Sequence, residues 1–165
     1  MTAKICPRGT KRVGNRCVTK FKNGIIFERG SKQGMNVVRG EAGTGIYAYV
    51  PSKKMREYYT KEGEKLIKIK PKEGIIVVDL TKELDSLIVF VKKDIDNLAK
   101  TMKYYVKPKV NRQNIQRFGN SIERYIKKKY PDASAYIVPH RGPGIPTGKQ
   151  VVITKPENFY SREAN

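Results

Sequence analysis

The chain has 165 residues, 35 of them Lys or Arg and 15 Asp or Glu, which gives a formal net charge of +20. This length fits one domain of ordinary size, and a charge this high favours nucleic acid, an anionic membrane face or an acidic protein as partner. Two cysteines and one histidine are too few for a four-ligand zinc site, and no apolar run reaches the roughly 18 to 20 residues of a membrane span.

Residues 1–22 are predicted to form a basic arm with little regular structure. The arm contains seven Lys or Arg and no acid, and proline and glycine residues interrupt it. A solvating tail and a phosphate-binding arm both fit this composition. The arm residues that would bind anions are Lys4, Arg8, Lys11, Arg12 and Arg16. Cys6 and Cys17 would pair in an oxidising compartment or stay reduced in the cytosol, and the sequence leaves both open.

The next segment predicts two strands and a helix. Residues 24–28 form an apolar strand, and the polar, glycine-rich residues 31–45 are expected to be a loop. Residues 46–50 alternate with period 2, which is typical of a strand that carries tyrosines on one side. Pro51 ends this strand and Ser52 is a suitable N-cap. The helix that follows would turn Met55, Tyr58 and Tyr59 inward.

The middle of the chain predicts two more strands and two helices. Residues 65–70 alternate apolar with basic, as in a strand with one wet, positive face, and residues 74–80 are more continuously apolar, which favours a central strand. Thr81 is expected to cap a long amphipathic helix that ends before Pro108. Asn111 is expected to cap a further helix with a buried stripe of Ile115, Phe118, Ile122 and Ile126.

This last helix also carries a cluster of cations for which two interpretations stay open. Cations near a helix C-terminus are mildly favourable in themselves, and a solvated face accounts for any one lysine. The cluster is nevertheless denser than solubility needs, which makes it a candidate phosphate-binding surface. Its members are Arg112, Arg117, Arg124, Lys127, Lys128 and Lys129.

The remaining chain predicts two strands, over residues 133–138 and 150–154, with a rigid Gly/Pro loop at 140–148 and a polar tail at 156–165. Strands and helices do not alternate steadily, which indicates an α+β fold. We expect residues 23–165 to form one domain with a small mixed or antiparallel sheet of about five to seven strands and two to three helices. His140 has no partner at the spacing of a hydrolase triad, and phosphate-loop and dinucleotide-binding fingerprints are absent from the sequence.

Three motifs resemble the ADP-ribosyltransferase-like fold, especially its small phage and viral forms. Phe27-Glu28-Arg29-Gly30 is similar to the strand whose Arg or His holds NAD. Gly45-Ile46-Tyr47-Ala48-Tyr49 and the helix after it are similar to the motif whose aromatic ring stacks on nicotinamide. Residues 133–138 and 148–158 are similar to the closing hairpin. The resemblance implies that Arg29, Tyr47 and Tyr49 bind the cofactor, and that Gln150 takes the place of the catalytic glutamate.

This substitution at Gln150 matters because the family's glutamate stabilises a developing oxocarbenium ion. Glutamine accepts a hydrogen bond but has no negative charge, and electrostatic stabilisation of that ion is the main source of the rate enhancement. We therefore expect a protein without a cofactor. The alternative is an active NAD-dependent ADP-ribosyltransferase that modifies a nucleic acid or a protein.

The segment from Cys6 to Val18 resembles basic two-cysteine segments in proteins of large DNA viruses of algae and amoebae. With the net charge, this implies a virus-encoded structural or packaging protein that binds nucleic acid or acidic capsid surfaces. The start of the chain lacks the apolar core of a signal peptide. The expected location is accordingly the virion or the host cytoplasm.

Overall fold

The computed structural model describes residues 10–13, 16–19, 26–60 and 63–164. The strands are β1 Thr10–Val13, β2 Arg16–Thr19, β3 Phe27–Gly30, β4 Val38–Gly40, β5 Gly43–Tyr49, β6 Leu66–Pro71, β7 Ile76–Asp79, β8 Ala133–Gly142, β9 Ile145–Ile153 and β10 Phe159–Ala164. The α-helices are α1 Lys53–Tyr59, α2 Leu84–Thr101 and α3 Gly119–Lys129. The α+β class predicted from the sequence is confirmed.

The principal sheet is mixed and has eight strands, more than the five to seven expected. Its order is β10-β6-β3-β5-β9-β8-β7, and β4 pairs with β5 beside this path. All pairs in it are antiparallel except β7 with β8. The chain between these two parallel strands contains α2 and α3, as a parallel crossover connection requires.

The sheet is strongly curved because a short connection joins two strands that are far apart in its order. β6 is second and β7 is seventh in that order, so five strand spacings, about 24 Å, would separate them in a flat sheet. Five Cα–Cα steps from Pro71 to Ile76 span at most about 19 Å. A turn closed by the Ile75 N–H and the Lys72 carbonyl, 3.3 Å apart, shortens the connection further.

The two faces of the curved sheet contribute to different core clusters. On one face, α2 and α3 pack with their apolar stripes against Val78, Val138 and Val152. On the other face, Phe27 and Ile69 belong to the same buried cluster as sheet residues from β7, β8 and β9. In the described residues this second cluster contains no α-helical residue, as expected where a curved sheet folds over itself.

Several local predictions are confirmed. The Ser52 hydroxyl accepts a hydrogen bond from the Met55 amide at 3.2 Å, so it caps α1 as expected. Ile67 and Ile69 are buried while Lys68 and Lys70 are exposed, as the alternation in β6 indicates. The stripe of α2 is buried at Leu84, Leu87, Val91 and Ile95.

Three segments expected to be irregular contain strands. The basic arm includes the antiparallel pair β1–β2, and β2 lies beside β7. The predicted loop 31–45 contains β4 and the start of β5, and the predicted tail 156–165 contains β10, which pairs with β6 over six residues. Each of these strands is polar or short, so its pairing depends on a neighbouring strand that periodicity does not reveal.

The segment 140–148 is also not a loop. β8 extends to Gly142 and β9 begins at Ile145, so most of the segment belongs to one hairpin. Gly142 and Gly144 have φ values of 154° and 74°, which allows the chain to reverse within two residues. The glycines and prolines that suggest a loop therefore lie in a tight turn and in the adjoining ends of two long strands, β8 and β9.

Three further predictions in the middle of the chain are wrong in detail. β7 ends the sheet order and is not central, although its four residues are buried because both core clusters cover it. Thr81 does not cap α2 but lies in a short 3-10 turn before it. The Asp79 side chain caps this turn by accepting a hydrogen bond from the Thr81 amide. Asn111 caps the amides of Gln113 and Asn114, and the expected single helix is divided into a 3-10 turn at Ile115–Arg117 and α3.

Candidate functional site

A small cavity opens where β3 and β5 separate. β3 pairs with β6 at four positions but with β5 at one, Glu28 opposite Tyr49. Beyond that pair the two strands no longer hydrogen-bond to each other in register, and the cavity lies between them. Its volume is about 80 Å³. Its lining consists of Arg29, Gly30, Tyr47, Ala48, Tyr49, Tyr59 and Gln150.

The cavity therefore brings together all four residues that the sequence resemblance assigned to cofactor binding and catalysis. Arg29 comes from β3, Tyr47 and Tyr49 from β5, and Gln150 from β9. β5 and β9 pair directly, with Tyr49 opposite Gln150. These residues are far apart in sequence, and the separation of β3 from β5 is what makes them neighbours around one space.

Arg29 is a buried cation whose partners are backbone carbonyls. Its side chain is 4% exposed; Nε donates to the Gly34 carbonyl at 2.7 Å, and Nη1 donates to the Tyr47 carbonyl. Burial lowers the pKa of Arg29 from its usual value. Among the described residues no carboxylate forms an ion pair with it. A buried guanidinium with carbonyl partners attracts an anionic or electron-rich group that enters the cavity.

Both hydrogen bonds of the Tyr47 hydroxyl are made to the backbone of a neighbouring turn. The hydroxyl donates to the Gly43 carbonyl at 2.7 Å and accepts from the Ala42 amide at 3.1 Å. Burial raises the pKa of Tyr47 to about 12. The contribution of Tyr47 to the cavity is thus its ring and backbone, and a ligand would compete with the turn for its hydroxyl.

One wall of the cavity consists of Tyr59 from α1 and Tyr49 from β5, and His140 from β8 lies behind Tyr59. The rings of Tyr49 and Tyr59 stack at 5.7 Å with an interplanar angle of 16°. The Tyr59 hydroxyl is 2.5 Å from His140 Nε2, and His140 Nδ1 is 2.7 Å from the Pro146 carbonyl. A carbonyl only accepts, so Nδ1 carries a hydrogen and donates it to Pro146, while Nε2 shares the second hydrogen bond of the ring with the Tyr59 hydroxyl. Burial raises the pKa values of Tyr49 and Tyr59.

Sequence reasoning missed the site roles of Tyr59 and His140. Helical spacing placed Tyr59 on the inward face of α1, and this signal was available. No sequence pattern indicated a role for His140, because its partner Tyr59 is 81 residues away in the chain. The sequence predicts that His140 lies in a loop and has no particular function. In the structure it lies in β8 with 4% of its surface exposed.

Carboxylates flank the cavity but do not line it. Gln150 Nε2 donates to the Pro139 carbonyl at 3.2 Å. Glu28 is buried and binds Arg56 through both of its carboxylate oxygens. Glu64 packs against Gly30, since its Oε1 is 2.7 Å from where a Cβ on Gly30 would lie, and it accepts from the Lys32 amide at 2.8 Å. No acid is among the lining residues in the described part of the chain.

The predicted anion-binding arm is only partly described. Lys4, Arg8 and Cys6 lie outside the described residues. Lys11, Arg12 and Arg16 lie in the hairpin β1–β2, where Arg12 is exposed. Cys17 lies in β2, and its pairing with Cys6 stays a prediction.

The cations around α3 divide into two groups. Arg112 pairs with Asp85 at 2.6 Å, Arg124 with Asp94 at 2.6 Å and Lys129 with Glu83 at 3.3 Å, so acids on or beside α2 neutralise half of the cluster. Arg117, Lys127 and Lys128 are exposed and form no ion pair with a described residue. The surface available to phosphates on this helix is therefore smaller than the sequence suggests.

Within the described ranges, no group of three or more His, Cys, Asp or Glu is placed to hold a metal ion. None of the helices described is both long and apolar enough to cross a membrane. Searches of protein-family profiles, curated protein sequences and solved structures find no match to the chain. The resemblance to ADP-ribosyltransferases accordingly depends on the three sequence motifs.

Proposed function

We propose that this chain is a basic, non-enzymatic protein that binds nucleic acid and uses an ADP-ribosyltransferase-like scaffold. The observation that carries the proposal is the excess of 20 positive charges in 165 residues. Proteins of this kind bind phosphates and release counterions, which requires no specific base contact. The two-cysteine segment adds the proposal that the protein is virus-encoded and acts in packaging, in contact with genome or acidic capsid surfaces.

The cavity supports the non-enzymatic part of the proposal. In the sequence resemblance, Gln150 takes the place of the family's glutamate. No carboxylate lines the cavity in the described residues. Without an anion beside the reacting sugar, the developing positive charge lacks its main stabilisation. The cavity volume of about 80 Å³ also suits one ring and not a whole dinucleotide, since sites for larger ligands measure roughly 300 to 1,000 Å³.

Nucleic-acid binding is tested by titrating the chain into a labelled duplex and a labelled single strand over a range of salt concentrations. We expect the logarithm of the binding constant to fall linearly with the logarithm of the salt concentration, by about 0.7 to 0.9 for each phosphate neutralised. Polyglutamate is a matched anion without bases, and it separates nucleic acid from acidic protein as partner. Absence of binding at low salt, or binding insensitive to salt, would contradict the proposal.

The second candidate is an active NAD-dependent ADP-ribosyltransferase. One observation favours it: Arg29, Tyr47, Tyr49 and Gln150 line a single cavity, as the resemblance requires. Saturable NAD binding that is abolished in an Arg29→Ala variant shown by circular dichroism to be folded would support this candidate.

Catalysis is tested through nicotinamide release. We expect none from the wild type or from Gln150→Ala, because the stabilising anion is absent. Gln150→Glu supplies that anion, and release by this variant alone would indicate a scaffold that has lost catalysis at one position. Release by the wild type would make the enzyme the correct assignment.

A further inference from the structure

We propose that the exposed face of β6 and β10 is a binding surface for single-stranded nucleic acid. Its residues are Lys68, Lys70, Tyr160, Arg162 and the adjoining Lys72, which we call the β6–β10 strip. The inference deepens the proposed function and rests on it, because it names the surface and the form of nucleic acid that the basic chain binds.

Strand register places the strip residues on one face. β6 and β10 are antiparallel, with Tyr160 opposite Lys70 and Arg162 opposite Lys68. Side chains directly opposite each other, and those two positions apart on one strand, point to the same side of a sheet. Ile67 and Ile69 point to the other side and are buried, so the strip faces solvent.

Within the described ranges, no acid neutralises the charge of the strip. Lys68, Lys70 and Arg162 form no ion pair with any residue in the described ranges, in contrast to Arg112, Arg124 and Lys129 around α3. The neighbouring strand β3 places Glu28 opposite Lys68. Glu28 is nevertheless 3% exposed and bound to Arg56, so its charge is already matched. The strip therefore presents an array of cations that complements a polyanion.

Tyr160 gives the strip a second property, an exposed aromatic ring. It is 62% exposed, and Lys72 Nζ lies 5.2 Å from the centre of its ring. Exposed aromatic side chains among cations on a sheet are platforms on which unpaired bases stack, whereas the bases of a duplex are already stacked on one another. Charge alone would serve duplex and single strand alike; the ring favours the single strand.

The charge is tested with two variants that each remove three positive charges. Lys68→Gln, Lys70→Gln and Arg162→Gln alter the strip; Arg117→Gln, Lys127→Gln and Lys128→Gln alter unpaired, exposed cations of the α3 region. The probe is a fluorescein-labelled oligothymidylate of about 12 nucleotides, within the range of ~4 to 16 for single-strand sites. We expect the strip variant to bind at least about tenfold more weakly and the α3 variant less than about threefold.

The ring is tested with Tyr160→Ala, Tyr160→Phe and a matched Tyr104→Ala. Tyr104 is 86% exposed and lies 5.6 Å from Lys103 Nζ, so it reproduces the exposed tyrosine and the nearby lysine elsewhere on the surface. Loss of one stacked base is worth ~1 to 3 kcal/mol, so we expect Tyr160→Ala to weaken binding roughly fivefold or more. Tyr160→Phe should retain affinity, Tyr104→Ala should leave it unchanged, and a duplex of equal length should bind more weakly.

The outcomes separate the strip from the general function. Binding by the wild type with equal losses in both triple variants would overturn the strip and leave nucleic-acid binding intact. Equal affinity for duplex and single strand, with no effect of Tyr160→Ala, would overturn the preference for single strands. Failure of the wild type to bind any nucleic acid would overturn both proposals. Circular dichroism and melting temperatures of all variants establish that each is folded.

Discussion

Tyr47 has two tasks in this protein, because its hydroxyl closes a turn while its ring and backbone line the cavity. The turn it holds lies between β4 and β5, and a Cβ on Gly40 would lie 2.4 Å from the Tyr47 hydroxyl oxygen. The absence of a side chain at Gly40 is therefore what allows the ring to pack there. Tyr47 therefore stabilises the turn as well as lining the cavity.

We expect Tyr47→Phe to lower the free energy of unfolding by about 1 to 2 kcal/mol at neutral pH, because the Ala42 amide and the Gly43 carbonyl lose their partner. Burial raises the pKa of Tyr47 to about 12, above the value of about 10 in an unfolded chain. The hydroxyl's contribution is thus complete below pH ~10 and is lost as the pH rises through ~12. Urea unfolding at neutral pH and across this alkaline range measures the difference between the two proteins.

Tyr104→Phe is the control for this measurement, because Tyr104 is exposed and its substitution should leave the free energy of unfolding unchanged. An equal effect of the two substitutions, or a difference between wild type and Tyr47→Phe that does not shrink at alkaline pH, would contradict the role assigned to the hydroxyl.

At the scale of elements, α2 and α3 are joined by a polar clasp, formed by Asp94, Ser121 and Arg124, as well as by their apolar stripes. Asp94 on α2 accepts from Arg124 Nε at 2.9 Å and Nη2 at 2.6 Å, and from the Ser121 hydroxyl at 2.6 Å. The bond with Arg124 is the main cause that lowers the pKa of Asp94. The acids of α2 thus direct cations of α3 toward the protein, and fewer remain for an external anion.

We expect Asp94→Asn to lower the free energy of unfolding by about 1 to 2 kcal/mol at pH 7, because the substitution removes a charged acceptor of three hydrogen bonds. A lowered pKa in the folded protein means that this stability is present above the unfolded value of about 3.9 and is lost as the pH falls through the folded value. Urea unfolding of both proteins at pH 7 and in that acidic range should show the difference shrinking.

Asp96→Asn is the matched control on the same helix. Asp96 pairs with Lys107 at 3.0 Å, and both side chains are more than half exposed. Exposed pairs contribute ~0.2 to 1 kcal/mol, so a smaller loss is expected. Equal losses of unfolding free energy from Asp94→Asn and Asp96→Asn would show that the clasp stabilises the protein no more than an exposed ion pair does.

At the scale of the whole molecule, the curvature of the sheet decides which residues share a core. The short connection between β6 and β7 draws opposite ends of the sheet together and buries Phe27 and Ile69 in the same cluster as Val77. β10 lies at one end of the order and pairs with a single strand, whereas β5 and β9 have neighbours on both sides. The protection of backbone amides against hydrogen exchange should therefore differ from strand to strand.

We expect amide hydrogen exchange to be slowest in β5 and β9 and faster in β10, because an edge strand opens without separating the central pairs. Exchange followed by mass spectrometry of peptides from residues 43–49, 145–153 and 159–164 measures this difference. Protection of β10 equal to that of β9 would contradict the strand order, since it would require a second partner for β10.

Sequence patterns predict well where burial alternates along one element. The alternation in β6, the stripe of α2 and the cap at Ser52 each depend on residues within a few positions of one another, and each is confirmed. The resemblance also identified four residues that the structure places around one cavity. Their roles stay predictions, because a shared location does not by itself define a ligand.

Composition and short-range periodicity are sufficient to predict the charge, the α+β class and the buried sides of β6 and α2. They are not sufficient for α1, where Met55 is buried as expected but Tyr58, also expected to point inward, is 48% exposed. Three features follow from the tertiary structure alone: β7 lies at the end of the strand order, Tyr59 contacts His140, and acids of α2 pair with cations near α3. Periodicity specifies that a side chain is buried or exposed but not its partner. Partners distant in the chain are set by the strand order and by the curvature that short connections impose on the sheet.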